Sequence, residues 1–193
     1  MFCCDEVTAQ EARLSPMKSV ELLRLEAAYS FGEMVTAIEG VDQPQAWGIL
    51  PNLGPDYLNT SASIQGMVLH VATAKILYGS VGFRSSEIRW RDVASEVEPI
   101  EQDWERSVAY LHRAHQYWLE TWEGLTDAEL AAEVPHFSGK LWPAWKVIYT
   151  VTEHDSYHAG QIAVLRYGVG PGTSPPPSEA EDIRRYCADL PSW

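Results

Sequence analysis

Basic residues are scarce in this chain. Lys and Arg number 14 against 27 Asp and Glu, a net charge of −13 over 193 residues. A surface of that sign repels phosphate backbones and anionic lipid, so nucleic-acid and membrane-surface binding are not expected. Arg84, Arg89 and Arg91 give the only hint of a basic patch. Cysteine is scarce too, and its count is odd: Cys3, Cys4 and Cys187. Adjacent cysteines pair badly with each other, so free thiols in a reducing cytoplasm are expected. Cys3-Cys4 reads as incidental thiols at a frayed end rather than as a metal or redox site. Met1-Phe2-Cys3-Cys4-Asp5-Glu6 lacks a basic segment followed by an apolar one, so no secretory leader is expected. No apolar run reads as long enough to cross a bilayer. Internal repeats, low-complexity tracts and a second domain are also lacking.

Apolar residues make up 46% of the chain, with eight Trp and nine Tyr. That supports one ordinary domain with a proper core. Four segments carry helical periodicity. The first opens at Ser15-Pro16, has the seam Val20, Leu23, Ala27, Phe31, Met34, Ile38, and stops at Gly40. The second runs from about Ser61 to Tyr78 on Ile64, Met67, Val68, Val71 and Leu77, and Gly79 ends it. The third, from near Pro99 to Gly124, has the seam Trp104, Val108, Leu111, His115, Trp118, Trp122. The fourth, from Pro143 to Gly168, has Val147, Val151, His154, His158, Leu165. The expected fold is all-α: a four-helix bundle with long inter-helix loops and a short C-terminal helix near Glu179–Leu190. Residues 1–15 form an N-terminal extension, 16–168 the bundle, and 169–193 a Pro-rich tail whose short helix packs on it. Two long links, Val41–Thr60 and Gly79–Glu98, read as lids or pocket walls anchored by Trp47, Tyr57 and Trp90. Thr126-Asp127-Ala128-Glu129 is a capping box that should start a short extra helix.

Chemistry centres on the histidines. His154 and His158 are four apart, one helical turn, on a seam that should face the core. Buried imidazoles need hydrogen-bond partners or a shared metal; the pair reads as metal ligands, as satisfied core histidines, or as a solvent-facing pair. A catalytic zinc site usually takes three protein ligands and keeps a position open, so a third would have to come from another helix. His70, amid Met67, Val68, Leu69 and Val71, is the best candidate, as ligand or as hydrogen-bonded core residue. His115 reads as an aromatic core position or a pocket residue, His112 as solvated, and His136, after Pro135, as a surface loop residue. His154-Asp155-x-x-His158 is one methylene from a zinc-protease H-E-x-x-H. No downstream third ligand fits that reading, and Glu179 and Glu181 lie beyond a Pro-rich break. A ferritin-like di-iron site fails as well, because the one E-x-x-H, Glu133 to His136, is broken by Pro135.

The run Glu153-His154-Asp155-Ser156-Tyr157-His158-Ala159-Gly160-Gln161-Ile162, followed by Leu165-Arg166 and Gly168, resembles the DinB/YfiT-like four-helix-bundle metalloenzyme family. Ser63-Ile64 through His70-Val71 and the link Gly124-Leu125-Thr126-Asp127-Ala128-Glu129-Leu130 look like it too. The likeness covers about Pro16 to Gly168. It implies a divalent metal held by His70, His154 and His158, with zinc or nickel first and iron or manganese after them. It implies a small-molecule substrate, and a transferase using a low-molecular-weight thiol such as bacillithiol or mycothiol, or a hydrolase using metal-bound hydroxide. It also implies a cytoplasmic homodimer and no DNA binding. Groups supporting the imidazoles or the pocket would be Gln161, Asp155, Tyr157 and His115, with Glu153 and Asp155 pointing sideways into solvent. The alternative is a non-catalytic metal- or small-molecule-binding bundle acting in stress response.

Overall fold

A computed structural model describes residues 18–49 and 62–190. Ser15-Pro16, Cys3-Cys4 and Tyr57 lie outside the described residues. Four long helices form the frame: α1 (Ser19–Ile38), α3 (Ile64–Phe83), α5 (Trp104–Trp122) and α6 (Ala144–Gly168). Short helices α2 (Gln43–Ala46), α4 (Trp90–Val97) and α7 (Glu179–Cys187) fill the connections and the tail. The protein is all-α in class, with one small two-stranded hairpin.

The seams read from sequence are the ones that pack. Val20, Ala27, Met34 and Ile38 are buried on α1, as are Trp104, Leu111, Trp118 and Trp122 on α5. Trp118 and Trp122 lie edge-tilted with centroids 6.1 Å apart at one end of the core. Each fully buried large side chain stabilises by about 1.5–3 kcal/mol, so these seams dominate the fold's energetics. Helix α3 runs through the middle and is buried on almost every side. It is also the described helix long and apolar enough to cross a membrane by length and composition, contrary to the expectation from sequence; 78% of that window is buried inside the bundle. Its hydropathy reflects a central position between α5 and α6.

Local chemistry sets the ends. Ser63 caps α3 by accepting from the Gly66 N–H at 2.9 Å, and Asp103 caps α5 from the Arg106 N–H at 3.0 Å. Gly40, at φ 71, terminates α1 in the left-handed conformation favoured for that position. Pro143 precedes the first residue of α6, and α6 ends at Gly168, as its sequence predicts.

Three expectations need correction. Gly79 does not stop α3, which continues to Phe83. A Cβ there would meet Thr121 Cγ2 at 2.9 Å, so the glycine serves the close approach of α5 instead. The second long link is largely helical, because Trp90, Val93, Ala94 and Val97 make the buried face of α4. The capping box does start a short extra helix, the 3-10 helix Glu129–Ala131; Glu129 accepts from the Thr126 N–H at 2.8 Å. Asp127 caps a different helix, accepting from Ser19 and Val20 N–H groups of α1 at 3.1 and 2.9 Å. Finally, β1 (Glu133–Pro135) pairs antiparallel with β2 (Leu141–Pro143), in register Val134 opposite Trp142. The hairpin buries His136 rather than exposing it; the ring stacks on Trp142 at 3.9 Å, and its Nδ1 meets the Ser138 hydroxyl at 2.8 Å.

Candidate metal centre

Successive turns of α6 carry His154 and His158, and α3 crosses opposite them with His70. The three rings converge through their Nε2 atoms. His154 Nε2 lies 3.1 Å from His70 Nε2 and 3.0 Å from His158 Nε2. His158 is buried, while His154 and His70 are half-buried and face a cavity. All three ligand atoms lie within 4.8 Å of one another.

Burial holds these rings neutral. The His70 pKa is pushed down to about 3, first by burial and then by the charge of His158. That of His158 falls to about 4 through burial, opposed by Gln161 beside it. His154 is lowered well below its ordinary value, by burial and then by His70, His158 and Lys75. Neutral imidazoles are the ligand form of histidine. Their hydrogen bonding is frustrated without a cation. A neutral ring nitrogen offers one lone pair or one N–H in its plane, so His154 Nε2 satisfies at most one of its two close contacts. A divalent ion accepting all three lone pairs removes the conflict. The donor set therefore fits a divalent metal ion.

The other sequence-predicted residues are dispersed around this point. Gln161 is half-buried beside His158. Asp155 does not point into solvent: it is 1% exposed and meets Lys75 Nζ, equally buried, at 2.6 Å. Lys75 lies two helical turns of α3 away from Met67 and faces inward because α6 supplies its counter-ion. Burial pushes the Asp155 carboxyl up and the Lys75 ammonium down, and their mutual attraction opposes both shifts. Tyr157 is 54% exposed; its ring meets His158 edge-on at 5.1 Å but does not line the cavity. His115 is buried flat on Phe31, with centroids 3.6 Å apart, and is likewise off the cavity wall. His112 is exposed and Glu153 faces solvent, as their positions predict.

A cavity of about 200 Å³ opens beside His70 and His154. Its walls are aromatic and small: Tyr78, Trp90 and Phe137 on one side, Thr73, Ala74 and Thr150 from α3 and α6. Trp90 thus forms pocket wall as expected, whereas Trp47 donates its indole N–H to Gln65 at 2.7 Å away from it. The remaining wall is helix α7, with Glu179, Asp182, Ile183, Tyr186 and Cys187. Burial pushes the Cys187 thiol up to about 12, so it is held protonated. Sequence reasoning set Glu179 aside as lying past a Pro-rich break. The chain returns instead, and Glu179, 3% exposed, places Oε1 4.0 Å from His70 Nδ1. The signal was there in the spacing of Ala180, Ile183 and Cys187, an apolar seam that demands a core to pack on.

A family model described as the DinB superfamily matches residues 33–162. The chain belongs to the DinB superfamily. The matched segment contains the whole three-histidine group, all of α3 and most of α6. Membership in the DinB superfamily and the three-histidine group are together compatible with a metal-dependent function. Among curated protein sequences none matches the chain. Helix α7 lies beyond the part that matches the DinB superfamily.

Proposed function

We propose that this DinB-superfamily protein is a divalent-metal-dependent enzyme acting on a small molecule held in the cavity beside His70 and His154. Transfer of a low-molecular-weight thiol is the leading reaction and hydrolysis the second. The observation that carries the reading is the convergence of three neutral imidazole nitrogens at the edge of a walled cavity. Zinc or nickel suits this donor set, as do iron and manganese, since imidazole discriminates little among them. A divalent ion held there supplies a Lewis acid that lowers the pKa of a thiol or water it binds.

The protein's own part is positioning and exclusion of water. Tyr78, Trp90 and Phe137 give the substrate an apolar seat. The lowered basicity of His70, His154 and His158 keeps protons from competing for the ligand nitrogens at neutral pH. In the transfer reaction the thiol sulfur forms a bond to an electrophilic carbon, the leaving group departs with its electron pair, and the thiol proton passes to solvent. The reading places the enzyme in the cytoplasm, where such thiols are held reduced.

A homodimer completes the proposal. Leu22, Leu25 and Tyr29 on α1 and Trp145, Tyr149 and Val164 on α6 are exposed at helical spacing. Between them runs a groove floored by Gly32, Ala159, Gly160 and Ala163. Protruding rings and a small-residue groove on one face suit an isologous two-fold contact. Sedimentation of Gly160→Arg against the unaltered chain tests it, with a monomer expected for the variant.

The functional test begins with metal-free protein titrated with each ion, followed by a panel of small thiols with chlorodinitrobenzene and a panel of activated esters. Turnover that needs added metal and is lost in His154→Ala supports the reading. Metal uptake with no turnover on either panel favours the binding bundle instead.

A further inference from the structure

The C-terminal helix does more than wall the cavity: we propose that Glu179 is the positioning carboxylate of His70, so that a segment outside the part matching the family completes the metal centre. This rests on the metal reading above. His70 turns Nε2 toward His154, which leaves Nδ1 on the outer side of the ring. The group that Nδ1 faces is Glu179 Oε1, at 4.0 Å. A metal-ligating imidazole characteristically donates its other N–H to a carboxylate, a carbonyl or water, which fixes the ring's tautomer and orientation and raises its basicity toward the metal. At 4.0 Å the carboxylate attracts the ring without a direct bond. A movement of about 1 Å brings N–H and oxygen within hydrogen-bond range.

The position of Glu179 is built. It is the first residue of α7, and the turn before it is held from the bundle. Glu101 Oε2 accepts from the Ser178 hydroxyl at 3.0 Å and from the Ala180 N–H at 2.9 Å, on either side of Glu179. Ser178 Oγ caps the helix by accepting from the Glu181 N–H at 3.1 Å. Ala180, Ile183 and Cys187 are buried in the core shared with Val93, Ala94 and Val97 of α4. These contacts hold the carboxylate at 3% exposure, a costly burial for an acid.

The experiment is cobalt(II) titration of metal-free protein, read by the ligand-field absorption of the bound ion, for the unaltered chain, Glu179→Gln, Glu179→Ala and His154→Ala. The expected result is cobalt affinity ten- to a hundred-fold weaker in Glu179→Ala. Glu179→Gln falls between, because an amide oxygen can still accept from Nδ1–H. A shift of the absorption band in Glu179→Ala, with the urea midpoint of the metal-free variant unchanged, separates positioning from a general loss of structure. Affinities of both Glu179 variants within two-fold of the unaltered chain overturn the proposal, as does a loss of affinity that only tracks lost stability. If the unaltered chain shows no cobalt signal that His154→Ala removes, the metal reading fails and this proposal falls with it. If that control behaves and the Glu179 variants bind normally, only the role of Glu179 is refuted.

Discussion

Replacing Lys75 or Asp155 alone should unfold a large part of this protein's stability, whereas replacing both should not. The two side chains are each 1% exposed and 2.6 Å apart, so neither has water to fall back on. Lys75→Met leaves a buried carboxylate with no counter-charge, and Asp155→Leu leaves a buried ammonium. Each single change should cost about 3–5 kcal/mol. A domain of this kind has roughly 5–15 kcal/mol in all, so either change consumes about a fifth of it or more. With a urea m-value of about 2–3 kcal/mol/M, the midpoint falls by about 1–2.5 M. The double variant Lys75→Met/Asp155→Leu removes both desolvation penalties and keeps the volume, so its midpoint should return to that of the parent or exceed it. Urea unfolding followed by far-ultraviolet circular dichroism measures all four chains as a double-mutant cycle. Single variants that lose less than about 1 kcal/mol, or a double variant as unstable as the worse single, would refute the reasoning.

Three further outcomes are expected. A divalent ion at a hundred times its dissociation constant adds about 2.7 kcal/mol, which raises the melting temperature by roughly 5–10 °C for a chain of this size; EDTA reverses the rise and His158→Ala abolishes it. The pKa of His115 is about 3 in the folded state, lowered by burial and then by Lys75. The unfolded chain therefore takes up that proton first, and the stability it contributes is full above about 6.5 and is lost as pH falls toward 3. His115→Leu should reduce the loss of metal-free stability between pH 7 and pH 5 by up to about 1.4 kcal/mol per pH unit, and equal losses in the two chains would contradict this. Gly79→Ala should destabilise by about 1–3 kcal/mol despite alanine's better helix propensity, because its Cβ meets Thr121 Cγ2 at 2.9 Å; Thr121→Ala in the same chain should restore most of the loss in thermal melts.

Legibility followed the physics of each element. Helices α1, α5 and α6 were readable because their buried faces repeat at the helical period, α3 because its apolar run is long, and the ends of α6 because Pro143 and Gly168 act through the local backbone. His70, His154 and His158 were recognisable as candidates by residue type, spacing and family likeness, and their convergence at 3.0 and 3.1 Å is tertiary. What sequence hid was long-range pairing. Asp155 reads as a solvent residue until Lys75, eighty positions earlier, is opposite it. Gly79 reads as a stop because the partner that needs its missing side chain is on another helix. His136 was misplaced because strands of three residues carry almost no periodic signal. Glu179 was passed over because the Pro-rich break before it hides that the expected C-terminal helix packs beside His70.

The meeting of three neutral imidazoles also bears on which ion the proposed site would take. Three identical nitrogen donors discriminate little among first-row divalent ions, and their affinities are expected to rise along the series with copper above nickel and zinc. Under the metal reading, occupancy should therefore follow supply: protein purified from nickel-rich medium is expected to carry nickel and protein from zinc-rich medium zinc, with elemental analysis as the measurement.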